Sequence, residues 1–304
     1  MQPLPARPVF VVGSPRSGTS ILTWCLGHHP NLFPVPESNW MGDFAVNVAI
    51  AHRIGAARNY YSILSAMDIL DDELFATFGR SINDLFLRHR TDLERKRYAN
   101  RIELKLEPSW IKAASTAAGP KTRWVDGTPE YSFHIYGLRK LFPDALFIHL
   151  VRDVRAVVRS MVEFHRVTGI QLVANEEEAY RYWMRTVGAC LLAERAYGPA
   201  VLHRVRYTDL IEHPEPTMRS LLDFLGEPYA ERCLEPLELR INSSIVPADF
   251  EINYAALNPT LVEEATQLSA EVETTPQPAH ASPPAADEMQ ATFRELVRHL
   301  ATQK

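Results

Sequence analysis

The chain has 304 residues, 46% hydrophobic and 23% charged, which suits a globular protein large enough to bury a sizeable core. Thirty-two Lys and Arg against thirty-seven Asp and Glu leave a net charge of −5, which excludes a general nucleic-acid or polyanion surface and leaves any anion site to local geometry. Three widely spaced cysteines exclude a disulfide framework and a metal-type cluster, and no apolar run reaches the roughly 18 to 20 residues that span a bilayer.

The opening MQPLPARPVFVVG enters a strand without the apolar stretch of a signal peptide, so a cytoplasmic protein is expected. Residues 8–12 predict that first strand, 13–18 a loop, and 19–28 a helix that stops at His29-Pro30, because proline disfavours helical geometry in the residue before it. The loop GSPRSG sets Gly13 and Gly18 five positions apart, followed by Thr19 and Ser20. This is the spacing of a phosphate-binding loop, but Thr19 stands where the usual lysine would be and a basic group, Arg16, lies inside the loop. Successive backbone N–H groups and the positive end of a helix dipole make such a turn an anion site. A nucleoside triphosphate is poorly served, since the lysine is missing and no obvious carboxylate for Mg²⁺ follows a second strand. Arg16 suits a single phosphate and the group attached to it. Taken alone, a glycine-rich turn with one arginine is as readily a structural connection.

From about 38 to 118 apolar residues recur at three- and four-residue intervals (Ile63, Leu64, Met67, Leu70; Leu85, Phe86), predicting helices that cap the sheet. Residues 145–151 (ALFIHLV) read as a buried strand, Arg152-Asp153 as a turn, and 154–165 as a helix. Both turns then lie at strand carboxyl ends, where ligands bind in open parallel sheets, and can be neighbours. A helix over 176–195 with acidic residues in its first turn, a strand over 202–207 and a helix over 216–225 continue the alternation. Residues 272–287 (VETTPQPAHASPPAAD) predict a flexible linker before a terminal amphipathic helix over 288–301, and no internal repeat is present. The expected fold is a three-layer α/β, P-loop-like domain over 1–271 with a mostly parallel central sheet and helical additions at about 38–120.

SPRSGTS, from Ser14 to Ser20, resembles the 5′-phosphosulfate loop of PAPS-dependent sulfotransferases of the bacterial and tyrosylprotein type. RDVRAVVRS, from Arg152 to Ser160, resembles the 3′-phosphate signature of that family, in which an arginine and a serine eight positions on clamp the phosphate. VRYTDL (205–210) and DFLGEP (223–228) resemble two further family segments, so the likeness spans most of residues 8–230. It implies transfer of a sulfuryl group from PAPS to a hydroxyl acceptor, giving PAP and a sulfate ester, without a metal. By the same resemblance Arg16, Ser17, Gly18, Thr19 and Ser20 cradle the 5′-phosphosulfate, Arg152 and Ser160 hold the 3′-phosphate, and Tyr207 contacts adenine. Ser243, with Arg240 in the same LRINSSIV stretch, is the candidate for further 3′-phosphate contacts.

Glu37, in PESNW, falls where relatives keep a catalytic glutamate and is the candidate base, with His28 and His29 as alternatives nearby and Arg16 as the charge-stabilising partner. Without the resemblance, Glu37 reads as a solvated residue before a helix capped by Ser38. One departure stands out: Gly127 in VDGTPEYS replaces a lysine that such proteins often carry, and Lys121, Arg123 and Lys140 are the nearby substitutes. Trp40, Phe44, Tyr60, Tyr61 and Trp110 are candidate pocket residues. The acceptor class stays open among small molecules, glycans, lipids and peptide tyrosine, and no motif bears on oligomeric state. A P-loop kinase or NTPase and a non-catalytic PAP-binding protein are the alternatives.

Overall fold

The computed structural model describes residues 7–103, 121–165, 169–238 and 257–302. Its strands are β1 (Val9–Val12), β2 (Leu32–Pro34), β3 (Arg123–Asp126), β4 (Leu146–Val151) and β5 (Leu202–Arg206). They form one sheet in the order β2-β3-β1-β4-β5, with every pairing parallel. The helices are α1 (Thr19–Gly27), α2 (Trp40–Ala56), α3 (Ile63–Ala66), α4 (Asp71–Glu103), α5 (Ile135–Leu141), α6 (Val154–Val162), α7 (Glu176–Tyr197), α8 (Tyr207–Glu212), α9 (Pro214–Leu225), α10 (Glu235–Glu238), α11 (Pro259–Thr274) and α12 (Pro283–Ala301).

VFVV and LFIHLV are buried at every position, because parallel strands with helices on both faces need apolar side chains in both directions. Alternation sorts these side chains into two layers. Phe10, Val12, Phe33, Trp124 and Phe147 face a core shared with α2, α4, α5, α7 and α12. Val9, Val11, Leu32, Val125, Ile148 and Leu150 face α1, α8 and α9. Phe10 centres the first layer, stacked on Phe147 at 5.2 Å and edge-on to Trp124 at 5.3 Å.

The expected parallel α/β architecture is therefore present. Two strands escaped the sequence reading: β2 has only three residues between prolines, and β3 (RWVD) begins and ends on charges that are themselves buried. The segment expected as a linker over 272–287 is helical at both ends, since α11 runs to Thr274 and α12 begins at Pro283. Between them, Gln277 accepts from Arg204 N and donates to Leu202 O, and Ser282 N donates to Arg195 O. Pro283 suits the first turn of a helix, where its missing N–H is no loss. Ala285, Met289, Phe293 and Val297 of α12 join the same buried cluster as Phe10, so the terminal helix is part of the core. Among the described residues no helix is long and apolar enough to cross a membrane.

A buried polar cluster links β4, α7 and β5. His149 of β4 meets Glu194 of α7 at 2.6 Å (Nδ1 to Oε1), and Arg204 of β5 donates to both Glu194 oxygens, with Nε at 2.9 and 3.1 Å. Burial opposes protonation of His149, yet Cys190 and Glu194 beside it raise its pKa to about 9. Removing one partner strands a buried charge, so Glu194→Gln should lower unfolding free energy by about 3 to 5 kcal/mol in urea titrations at pH 7. The folded pKa of His149 lies above its ordinary 6.5, so its contribution is complete below about pH 6.5 and is lost as pH rises through about 9. Wild-type stability should accordingly decline over that interval more steeply than that of His149→Gln.

Candidate functional site

The pairing of β1 with β4, in register at Val12↔His149, brings the turns after these strands together. At the first turn the backbone is unusual: Gly13 (φ 142°), Arg16 (φ 70°) and Gly18 (φ 107°) are all left-handed. Gly18 is required for a second reason, since a Cβ there would lie 2.7 Å from the Tyr207 ring. Ser132 Oγ accepts from Gly13 N at 2.9 Å, and Ser17 donates both N–H and hydroxyl to Ser14 O, at 3.1 and 2.7 Å. Ser17 thus spends its polar hydrogens on shaping the loop. No side chain caps α1 at Gly18 and no acidic residue lies in its first turn, so the helix presents backbone donors and its positive dipole end.

Two arginines meet beside this helix end. Arg152 Nη1 donates to Arg16 O at 3.0 Å, Arg16 Nε donates to Ser160 Oγ at 3.1 Å, and the Arg152 guanidinium lies 4.3 Å from the centre of the Tyr207 ring. Phe164 covers Arg16 at 4.6 Å. Burial and then the neighbouring Arg152 depress the Arg16 pKa, with Glu37 opposing. A crowded pair of like charges at an uncapped helix end makes a candidate anion site.

From the first turn of α1, Ser20 Oγ donates to Glu37 Oε1 at 2.6 Å. Loss of solvation raises the Glu37 pKa, Glu130 adds to the rise, and Ser20 and Arg16 act against it. Asp126, at the end of β3, is a buried carboxylate that the sequence reading passed over. Its Oδ1 accepts from Thr128 N at 2.9 Å and Thr128 Oγ1 at 2.6 Å. Burial pushes its pKa up to about 7 against those two hydrogen bonds, and Glu37 adds to the rise. What hid Asp126 was the short, charge-ended strand that carries it.

Arg16, Gly18, Ser20, Glu37, Arg152, Ser160 and Tyr207 are thus gathered around one helix terminus, with Thr19 buried in its first turn. Ser160 reaches Arg16 rather than Arg152. Ser243, Arg240 and Trp110 lie outside the described residues. His28 and His29 are at the far end of α1, bonded to Glu235 at 3.2 Å and Pro228 O at 2.9 Å. Trp40 and Phe44 pack against each other at 5.8 Å, whereas Tyr60 and Tyr61 are 94% exposed.

None of the nearby cations takes the place of a lysine at 127. Lys121 donates to Gly27 O at 2.7 Å, Arg123 pairs with Glu227 at 2.6 Å, and Lys140 pairs with Asp71 and Asp72 at 2.5 and 2.8 Å. Gly127 has its own steric cause: a Cβ there would lie 2.1 Å from Thr23 Oγ1 on α1. Gly127→Ala should therefore destabilise the fold by about 1 to 3 kcal/mol, and Thr23→Ala in the same chain should restore most of the loss, as read from urea midpoints.

The family model for the sulfotransferase family matches residues 8–231. Protein-tyrosine sulfotransferase 1 of Danio rerio is 27% identical over 237 residues, covering 76% of this chain and 56% of that protein. The omega-hydroxy-beta-dihydromenaquinone-9 sulfotransferase of Mycobacterium tuberculosis is 31% identical over 112 residues, covering 32% of this chain and 27% of that one. The chain thus spans about half the length of the zebrafish relative, 56%. A crystal structure of a sulfotransferase from Mycobacterium tuberculosis aligns with a TM-score of 0.48 at 19% identity, covering 86% of this chain and 77% of the other.

Proposed function

The chain belongs to the sulfotransferase family, and from that footing we propose that it moves a sulfuryl group from PAPS to a hydroxyl acceptor, releasing PAP and a sulfate ester. The observation that carries this reading is the junction of Arg152 with the Arg16 loop, 3.0 Å between Nη1 and O, with Glu37 held to the same helix end by Ser20 at 2.6 Å. PAPS supplies the electrophilic sulfur and a stable leaving phosphate.

In this proposal the N–H groups of the loop and first turn of α1, with Gly18, Thr19 and Ser20, bind the 5′-phosphosulfate, and Ser17 keeps the loop in shape. Arg16 carries positive charge to the place where negative charge grows as the bond to sulfur breaks. Arg152 and Ser160 bind the 3′-phosphate, and the face of Tyr207 suits a purine. Ser243 is retained as a further phosphate contact on sequence grounds alone. Glu37 takes the proton of the acceptor hydroxyl, and Ser20 fixes one carboxylate oxygen while the other stays available. No lysine at 127 shares the charge, so more of it falls on Arg16 and the helix end.

The transferase unit is proposed as residues 1–271, with α12 packed onto it. Its acceptor is proposed to be a small-molecule, glycan, lipid or tyrosine hydroxyl. Three free cysteines, all buried, agree with a cytoplasmic setting.

Glu37→Gln should lower kcat by about 10² to 10⁴ while leaving PAP affinity unchanged, measured by mass-detected sulfate transfer and calorimetry. Unaltered turnover removes Glu37 from the mechanism. Arg152→Ala should weaken PAP binding by about tenfold to a hundredfold, the loss of a charged hydrogen bond. A thermal-shift comparison should show stabilisation by PAP and none by Mg·ATP; the reverse result favours a kinase.

The pH profile carries a sign. Glu37 must be ionised to accept a proton, and its pKa is raised above the ordinary 4.5, so the acid limb of kcat/KM should lie above the usual glutamate range. Because the Glu130 carboxylate contributes to that rise, Glu130→Gln should move the limb to lower pH.

A further inference from the structure

Glu37 sits in the irregular stretch between β2 and α2, where no ladder or helix fixes the backbone. Hydrogen bonds to β3 and the residues after it do so instead. Val35 N donates to Val125 O of β3 at 2.9 Å, and Ser38 N donates to Thr128 Oγ1 at 2.8 Å. The second bond grips the peptide that directly follows Glu37, and Tyr131 OH donates to Ser38 O on the next peptide. Thr128 and Tyr131 are 2% and 0% exposed, so both grips are shielded from water.

We propose that Asp126, Thr128 and Tyr131 form a buried clamp on the Ser38 backbone that aims the Glu37 carboxylate, with Thr128 as its central positioning residue. The proposal rests on the reading of Glu37 as the base. The polarity of the clamp supports it. A threonine hydroxyl can donate or accept, and Asp126 settles which: its Oδ1 takes the Thr128 hydroxyl proton at 2.6 Å and the Thr128 N–H at 2.9 Å. The hydroxyl oxygen then has only lone pairs to offer the Ser38 N–H.

Asp126 is fully buried and its Oδ2 has no hydrogen-bond partner among the described residues, an arrangement poor for stability and therefore in want of another use. Fixing a neighbour's hydrogen-bond direction is such a use. The clamp joins the end of β3 to the catalytic stretch, while Ser20 holds the tip of the Glu37 side chain from α1. Backbone and side chain are thus set from two different elements.

The test is a double-mutant cycle between Thr128→Val and Glu37→Gln, with Thr128→Ser as the conservative control. Thr128→Val should lower kcat about 10- to 100-fold, the scale of a reacting group displaced by about 1 Å, with PAP affinity and acceptor KM unchanged. Thr128→Ser should keep near wild-type kcat. In the Glu37→Gln background Thr128→Val should have no further effect, because the group it positions is gone.

Unchanged kcat in Thr128→Val, or an equal loss in both backgrounds, overturns the clamp while Glu37 stands as the base. If Glu37→Gln by itself leaves kcat intact, the base reading fails and the clamp loses its object. Should Thr128→Val fail to fold, Tyr131→Phe removes the other grip at nearly constant volume and takes its place in the cycle.

Discussion

Parallel pairing of β1 with β4 is the constraint from which the site follows. The two strands are far apart in sequence, and their register places the residues after Val12 beside those after Val151. Arg16 and Arg152 are driven together by that backbone contact and not by mutual attraction; their charges repel. Burial and each other's field depress Arg16, and the opposing influence of Glu37 is only partial. Such crowding persists where the surrounding backbone over-determines it, and it leaves a corner whose charge an anion would relieve.

Buried charge is handled differently at the two ends of the sheet. At the amino end of β3, Arg123 meets Glu227 and two backbone carbonyls, Arg7 O and Leu225 O. In the middle, Glu194 bonds both His149 and Arg204 across β4, α7 and β5. At the carboxyl end, Asp126 keeps an oxygen without a partner and Arg16 faces Arg152. Two like charges therefore face each other where strands hand over to helices, the end at which open parallel sheets bind ligands.

Much of the candidate site was legible in short stretches of sequence because the backbone requirements behind it are local. GSPRSGTS needs its glycines for left-handed backbone and close approach, and those requirements act within a few residues. RDVRAVVRS likewise encodes a strand end and the helix after it. Both motifs lie at strand carboxyl ends, which by itself makes them possible neighbours in a parallel sheet. Where requirements were not local, reading failed. β3 is too short and too charged to look like a strand, so Asp126 and Thr128 passed unnoticed, and the proline-rich stretch before α12 looked free although both flanking helices extend into it.

From the sequence alone come the parallel α/β class, the candidate anion-binding turn, the candidate residues Arg16, Glu37, Arg152 and Tyr207, and the departure at Gly127. Tertiary structure alone decided that Ser160 bonds Arg16, that Thr23 fills the space a side chain at 127 would need, and that Ser38 is gripped by Thr128 and Tyr131. The physical reason is range. Turn geometry and strand burial are set by neighbours along the chain, whereas a hydrogen bond across 90 or 144 positions exists only once strand order has closed the distance.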